Sequence, residues 1–273
     1  MISKATRLTP GTAVGPRKAT TRRRFGAVLP ALLAGALFLA GGAAKAETWT
    51  VTSLGWQPFS GPDLPKQGAG VHVLRKVLKT EGVDLEVRFM PWTRAKAVAG
   101  NDDSVVAYYP SWPSEVIDGF FGSETVFTSP VGFAEMKDDP ISWDKPADLG
   151  NYTIATVGAY IYPDSFQKLI DDGTVETIAV DNDATALRML GAGRVDAAAI
   201  DKFVMRYQLN TNPALKEMQG KVQFNDKVLI DYDLVVAFTD TPGNKDRAKT
   251  LEKALANVGD TQRLIRNYLM SLR

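Results

Sequence analysis

The stretch Asp181–Leu209, DNDATALRMLGAGRVDAAAIDKFVMRYQL, constrains the fold more than any other part of the chain. Asp181, Asn182 and Asp183 supply side-chain oxygens suited to cap a helix start. Ala184, Leu187 and Leu190 then recur at helical spacing, with Met189 beside them. Gly191 and Gly193 stop that helix, because glycine tolerates the left-handed turn a helix end requires. Val195–Ile200 is short and nearly all apolar, the pattern of a strand buried on both faces. Asp201 follows at its carboxyl end, the edge of an open α/β sheet where ligands sit. The stretch predicts a helix, a glycine turn, a buried strand and a carboxylate delivered to a cleft, unless Asp201 only caps the next helix.

Leu190-Gly191-Ala192-Gly193-Arg194-Val195-Asp196-Ala197 resembles the L-x-x-G-R-x-D-A signature in the second lobe of bacterial extracellular solute-binding proteins of family 3. These are periplasmic receptors of polar amino-acid ABC transporters and their relatives. The resemblance implies an α/β, two-lobed periplasmic-binding-protein fold of type II. Each lobe would be a mainly parallel sheet flanked by helices, and two hinge segments would cross between the lobes. It also implies a monomer that takes a small-molecule ligand to an inner-membrane ABC permease and needs no cofactor.

Residues 1–46 hold eight Lys or Arg and no Asp or Glu. Thr21-Arg22-Arg23-Arg24-Phe25 resembles the twin-arginine export motif, and an uncharged run follows from Phe25 to Ala44. Ala44-Lys45-Ala46 fits a small-x-small cleavage site, so Glu47 is expected to begin the periplasmic protein. The run could span a bilayer, but it is Gly/Ala-rich and broken by Pro30. Twin-arginine and general secretory export both stay open, since the lysine often found after the motif is missing.

Over the whole chain 32 Lys and Arg balance 31 Asp and Glu. Loss of the leader leaves 24 basic against 31 acidic residues, a net of −7 with His72 neutral. Such a protein is a poor partner for nucleic acid, whose affinity rests on phosphate neutralisation. The chain has no cysteine and one histidine, which argues against disulfides, a His-rich metal site and a Ser-His triad. No second long apolar run exists, so the mature chain is not expected to span a membrane.

The first lobe is expected over 47–129 and 235–273, the second over 130–234. Thr48–Leu54, Asp84–Phe89 and Ser104–Tyr109 read as strands, with amphipathic helices between them. This β-α-β-α-β order requires a parallel sheet with helices on its faces. The loop holding Trp56-Gln57-Pro58-Phe59 and the Pro91-Trp92-Thr93-Arg94 turn both resemble relatives of the family, in which the aromatic of the first loop stacks on the ligand. That position is Trp56. Trp112 sits beside prolines at a strand end and is a second cleft candidate. Tyr108 and Tyr109 alternate in direction, so only one of them is expected in the pocket.

One departure from the family is informative. Amino-acid-binding members clamp the ligand carboxylate with an arginine a few residues after the third strand. Here that position is Glu115, or very near it, and a carboxylate cannot hold a carboxylate at neutral pH without a proton or metal between them. Arg94 either supplies the missing cation or is a solvated helix residue. Glu115 either faces the cleft or lies exposed on a helix.

In the second lobe Tyr152–Val157 and Glu176–Val180 read as strands, and a helix runs to Ile170. The family places a ligand-contacting Thr or Ser at the turn where this chain has Ala159-Tyr160. Phe127–Pro130 and Asp231–Leu234 are expected to lie side by side as the two crossings, with Val228–Phe238 broken into two short strands near Asp231-Tyr232-Asp233. Two terminal helices, Lys245–Asn257 and Asp260–Leu272, return to the first lobe.

The expected function is a non-enzymatic solute receptor with Trp56, Arg94, Tyr108, Tyr109, Trp112, Glu115, Tyr160 and Asp201 as candidate ligand contacts. Carboxylates and aromatic faces favour a cationic or aromatic amine. The alternatives are an enzyme on the same scaffold, resembling the cyclohexadienyl dehydratases and using Glu115 and Asp201 as an acid–base pair, or a receptor serving a membrane sensor or a periplasmic oxidoreductase.

Overall fold

Strand and helix alternate along residues 47–272, which are the residues described by the computed structural model. The expected leader, export motif and cleavage site lie outside them. The first run is β1 (Thr48–Ser53), α1 (Ala69–Lys79), β2 (Asp84–Phe89), α2 (Trp92–Asn101) and β3 (Ala107–Ser111). β2 and β3 flank β1, and both run parallel to it. A short β4 (Phe120–Gly122) precedes the long β5 (Phe127–Met136). The second run is β6 (Thr153–Val157), α3 (Asp164–Asp171), β7 (Glu176–Val180), α4 (Asp183–Gly191), β8 (Ala197–Asp201) and α5 (Lys202–Thr211). Here β7 and β8 flank β6 in parallel. Then come β9 (Val222–Phe224), β10 (Ile230–Thr239), α6 (Pro242–Val258) and α7 (Thr261–Met270).

The strand order β2-β1-β3-β10-β5-β8-β6-β7 makes two parallel three-strand groups joined through an antiparallel pair. β10 pairs with β3 and β4 through its second half and with β5 through its first. β5 in turn pairs with β8 and β9. The crossing segments lie side by side residue by residue, with Phe127 opposite Leu234, Thr128 opposite Asp233 and Pro130 opposite Asp231. The Gln262 carboxamide of α7 binds the other edge of β5: it accepts from the Thr128 N–H and donates to the Thr128 carbonyl, both at 3.0 Å.

Two differences from expectation bear on the junction and the site. β10 is continuous, whereas a break near Asp231-Tyr232-Asp233 was expected. Asp231 and Asp233 do not interrupt β10, because they fall on its exposed face while Tyr232 and Leu234 point inward. The only irregularity against β3 comes later, between Val235 and Ala237. The third strand begins at Ala107 rather than Ser104, because the Asp102 carboxylate accepts from the Ser104 N–H at 2.9 Å and fixes a turn there.

The helix–turn–strand unit forms as its sequence dictates. The Asn182 side chain accepts from the Thr185 N–H at 2.9 Å and caps α4. Ala186, Leu187 and Leu190 bury one face of the helix. At its end the Arg194 N–H reaches back to the Met189 carbonyl across Gly193, whose φ is +63°. All of β8 is buried. A Cβ at Gly193 would meet nothing within 4 Å, so backbone strain is the only penalty there. Gly193→Ala should therefore destabilise the fold by about 1–2 kcal/mol in urea unfolding, and an unchanged midpoint would contradict the turn geometry.

Candidate functional site

The carboxyl ends of both parallel groups meet the same cleft. On one wall, β3 runs into Trp112-Pro113-Ser114-Glu115; on the other, β6 runs into Ala159-Tyr160-Ile161-Tyr162. The Trp112 ring stacks on Tyr232 of β10 with an interplanar angle of 2° and a centroid separation of 5.4 Å. Trp56 and Tyr160 meet the Trp112 ring edge-on, at 5.9 and 5.4 Å. Tyr162 approaches it at 6.1 Å. Trp112 is thus the centre of an aromatic cage built from both walls and a crossing strand. Its indole Nε1 is buried without a hydrogen-bond partner. The inner cavity beside it, walled by Trp56, Trp112, Glu115 and Tyr160, has a volume of only about 20 Å³.

Glu115 is 2% exposed, which excludes the surface-helix alternative. One carboxylate oxygen accepts from Lys96 Nζ of α2 at 2.5 Å, and the other accepts from the Ile161 N–H across the cleft at 2.5 Å. The Ser114 hydroxyl donates to the Ile161 carbonyl at 2.5 Å. Two neighbouring side chains on one wall therefore hold both polar groups of a single residue on the other. Removing one partner of a buried ion pair strands the other charge and costs about 3–5 kcal/mol. Lys96→Met strands the Glu115 carboxylate and Glu115→Gln strands the Lys96 ammonium, so each should lower stability by that order. Urea unfolding of both variants and of the double variant checks this: the double variant should lose less than the sum of the two, and additive losses would refute the ion-pair account.

A second, larger cavity of about 780 Å³ lies in the outer cleft. Leu54, Gly55 and Gln57 after β1 and Phe89–Thr93 after β2 form one side; Ala159, Tyr160 and Asp181–Ala184 form the other, with Tyr207, Gln208 and Asn212 of α5. Asp183 is buried here, and its carboxylate accepts from the Tyr160 hydroxyl at 3.0 Å. Burial pushes this carboxyl up to about 6, against the lowering effect of the Tyr160 bond and of its own backbone N–H.

Asp201 caps α5: one oxygen accepts from the Phe203 and Val204 N–H groups at 2.7 and 3.1 Å. Its Oδ2 and the nearby Ser129 hydroxyl are both buried without a partner. Burial pushes Asp201 up to about 7, opposed by the Ser129 hydroxyl and those two N–H groups and reinforced by Asp183. A carboxyl raised in the folded state holds its proton between about pH 4, where the unfolded chain releases it, and the folded value. Folding then binds protons in this window, so stability falls as pH rises from about 4 to about 7 and stays reduced above it. Asn caps helices as well as Asp does. Asp201→Asn should therefore raise stability at pH 8 and flatten the decline from pH 5, as read from urea midpoints at the two pH values; a steeper decline would refute this.

The structure brings together four of the expected residues, Trp56, Trp112, Glu115 and Tyr160, around the inner cavity. The others stand apart. Tyr108 and Tyr109 are both fully buried, and their hydroxyls donate to the Glu115 and Gly70 carbonyls at 2.7 and 3.0 Å, so neither lines either cleft cavity. Arg94 is exposed and lines neither cavity. Asp201 lies behind the walls as a helix cap. Sequence reasoning missed Lys96, Ser114, Ile161 and Tyr232, and read Asp183 only as a cap. A signal for Lys96 was present: it shares the buried face of α2 with Trp92, Ala95 and Ala99, where a lysine needs a buried partner.

Among the described residues no group of three His, Asp or Glu is placed to hold a metal, and no helix is long and apolar enough to cross a membrane. No protein-family model matches the chain, and no curated protein does. Many solved structures share its fold. The GluR0 ligand-binding core from Nostoc punctiforme in complex with L-glutamate is 19% identical, with a TM-score of 0.62, over 81% of this chain and 98% of that one. An ancestral arginine-binding protein bound to arginine gives 18% and 0.63, over 81% and 97%. The substrate-binding protein of an amino acid ABC transporter gives 18% and 0.60, over 81% and 98%. The fold is therefore the two-lobed α/β fold of periplasmic binding proteins, with β5 and β10 as its two crossing segments.

Proposed function

We propose that this chain is a periplasmic solute receptor of the family 3 type, with lobes at 47–129 and 235–273 and at 130–234. It closes on a small polar solute by bending at the crossing strands and hands the solute to an inner-membrane ABC permease. The observation that carries the reading is the outer cleft: a cavity of about 780 Å³ walled by strand ends of both lobes, within the usual range of small-molecule sites, roughly 300–1,000 Å³. The resemblance of Leu190–Ala197 to the family signature and the acid-free leader support the same assignment. Trp56, Trp112 and Tyr160 would be the aromatic walls that sense closure, and Glu115 the latch.

The dehydratase-like alternative is weaker. Both Glu115 oxygens are engaged, by Lys96 and by the Ile161 N–H, and Asp201 is buried as a cap. Neither is presented as an acid or base to a solute.

A thermal-shift screen of the purified protein against amino acids, amines and small organic acids tests the receptor reading. A solute at a hundredfold excess over its Kd stabilises by about 2.7 kcal/mol, a rise in Tm of roughly 5–10 °C for a domain of this size. A screen in which no polar solute moves the Tm would sink the proposal.

A further inference from the structure

We infer that the outer cleft recognises an organic cation, an ammonium or guanidinium group, with Asp183 as its acceptor and the Tyr160 hydroxyl positioning that carboxylate. This deepens the receptor reading and rests on it. The inner cavity is filled by the chain's own rings, and about 20 Å³ accommodates no solute head group. The outer cavity has the space and is walled by the ends of β1, β2 and β6, whereas a cavity of about 900 Å³ between α5 and α7 touches no strand end. Its charged lining is Asp181 and Asp183, and among the described residues no Lys or Arg lines it. Gln57, Asn182, Gln208 and Asn212 add carboxamides, while Phe89, Trp92, Tyr160 and Tyr207 add aromatic surface that also attracts cations.

Asp183 is the distinctive member. It is 6% exposed, and its hydrogen-bond partner is a neutral hydroxyl. Among the described residues no cation pairs with it, in contrast to Glu115 with its lysine. The helix cap does not need it either, since Asn182 performs that task. A carboxylate buried at a cavity wall without a counter-charge is unfavourable until a cation arrives, so an arriving cation binds the place where the empty protein is least satisfied.

An anion is the competing occupant, because α2 begins at this cavity with no side-chain cap on Pro91. α4 begins here too, with Asp183 in its first turn; two helix starts together carry roughly one positive charge, which does not offset the two formal carboxylates Asp181 and Asp183. The titratable groups facing Asp183 are Tyr160 and Tyr162 from the β6–α3 turn and Asp201 from the end of β8. None is cationic.

The test titrates the full protein with agmatine and putrescine as cationic probes and with succinate and L-glutamate as acidic controls, following tryptophan fluorescence at pH 7.5; Trp92 lines the cavity. At least one cation should bind, and both acids should bind more weakly. Asp183→Asn should lower that affinity at least tenfold while the empty variant is at least as stable as the wild type. Tyr160→Phe should give a smaller loss. Binding should weaken as pH falls through about 6, where Asp183 takes up its proton. Equal affinity of wild type and Asp183→Asn for the cations, tighter binding of succinate, or no cation binding at all would each overturn the assignment. A solute from the broader screen that stabilises both proteins equally overturns this site and leaves the receptor reading standing. Failure of every solute removes both.

Discussion

Two antiparallel strands hold this molecule together. Five consecutive backbone pairs between β5 and β10, from Phe127 opposite Leu234 to Val131 opposite Ile230, are what connects one parallel group to the other. Each strand continues into both groups, so neither lobe has a free sheet edge at the junction, and the pairing register sets how the two cleft walls face each other. The alternation along β10 explains why aspartates are tolerated there: Asp231 and Asp233 stay in solvent while Tyr232 turns inward to stack on Trp112. Gln262 occupies the position of a further strand beside Thr128 and satisfies both of its peptide groups, which leaves that residue's backbone with no unmet hydrogen bond in the crossing segment.

The two cleft walls are held against each other by two kinds of contact of different character. The aromatic cage around Trp112 is large in area and tolerant in geometry, since edge-on and stacked arrangements both contribute. The bonds to Ile161 are small in area and strict in geometry, because a carboxylate and a hydroxyl must meet one N–H and one carbonyl together. The cage supplies attraction between the walls, and the bonds choose the register in which they meet. Phe59 against Phe203, at a centroid distance of 6.2 Å, adds a further apolar contact from the β1 loop to α5.

Most of the architecture was legible because it depends on local pattern. Helical spacing through Leu187 and Leu190 and the glycine stop formed as read, the buried strand expected over 195–200 forms two residues later and takes in Asp201, and the strand Glu176–Val180 matched its expected bounds. The site was only partly legible. Trp56, Trp112 and Tyr160 could be placed at strand ends by their neighbouring prolines and by the order of elements. What a residue touches across a cleft depends instead on contacts between segments far apart in sequence. Glu115 meets Ile161 from 46 positions away, and Tyr160 meets Asp183 from 23. No periodicity encodes such a meeting. The tyrosines of β3 show the converse: a polar ring beside a loop suggested the cleft, but backbone carbonyls of Glu115 and Gly70 within the fold satisfied both hydroxyls.

The engagement of Ile161 by Ser114 and Glu115 also bears on time rather than on energy. Both bonds have to be broken before the walls can part, and both end on one residue, which carries the N–H and the carbonyl alike. The two bonds and the ring contacts around Trp112 together oppose any parting of these walls. The time these two walls stay together thus carries a contribution from Ser114 and Glu115 that comes from the chain itself.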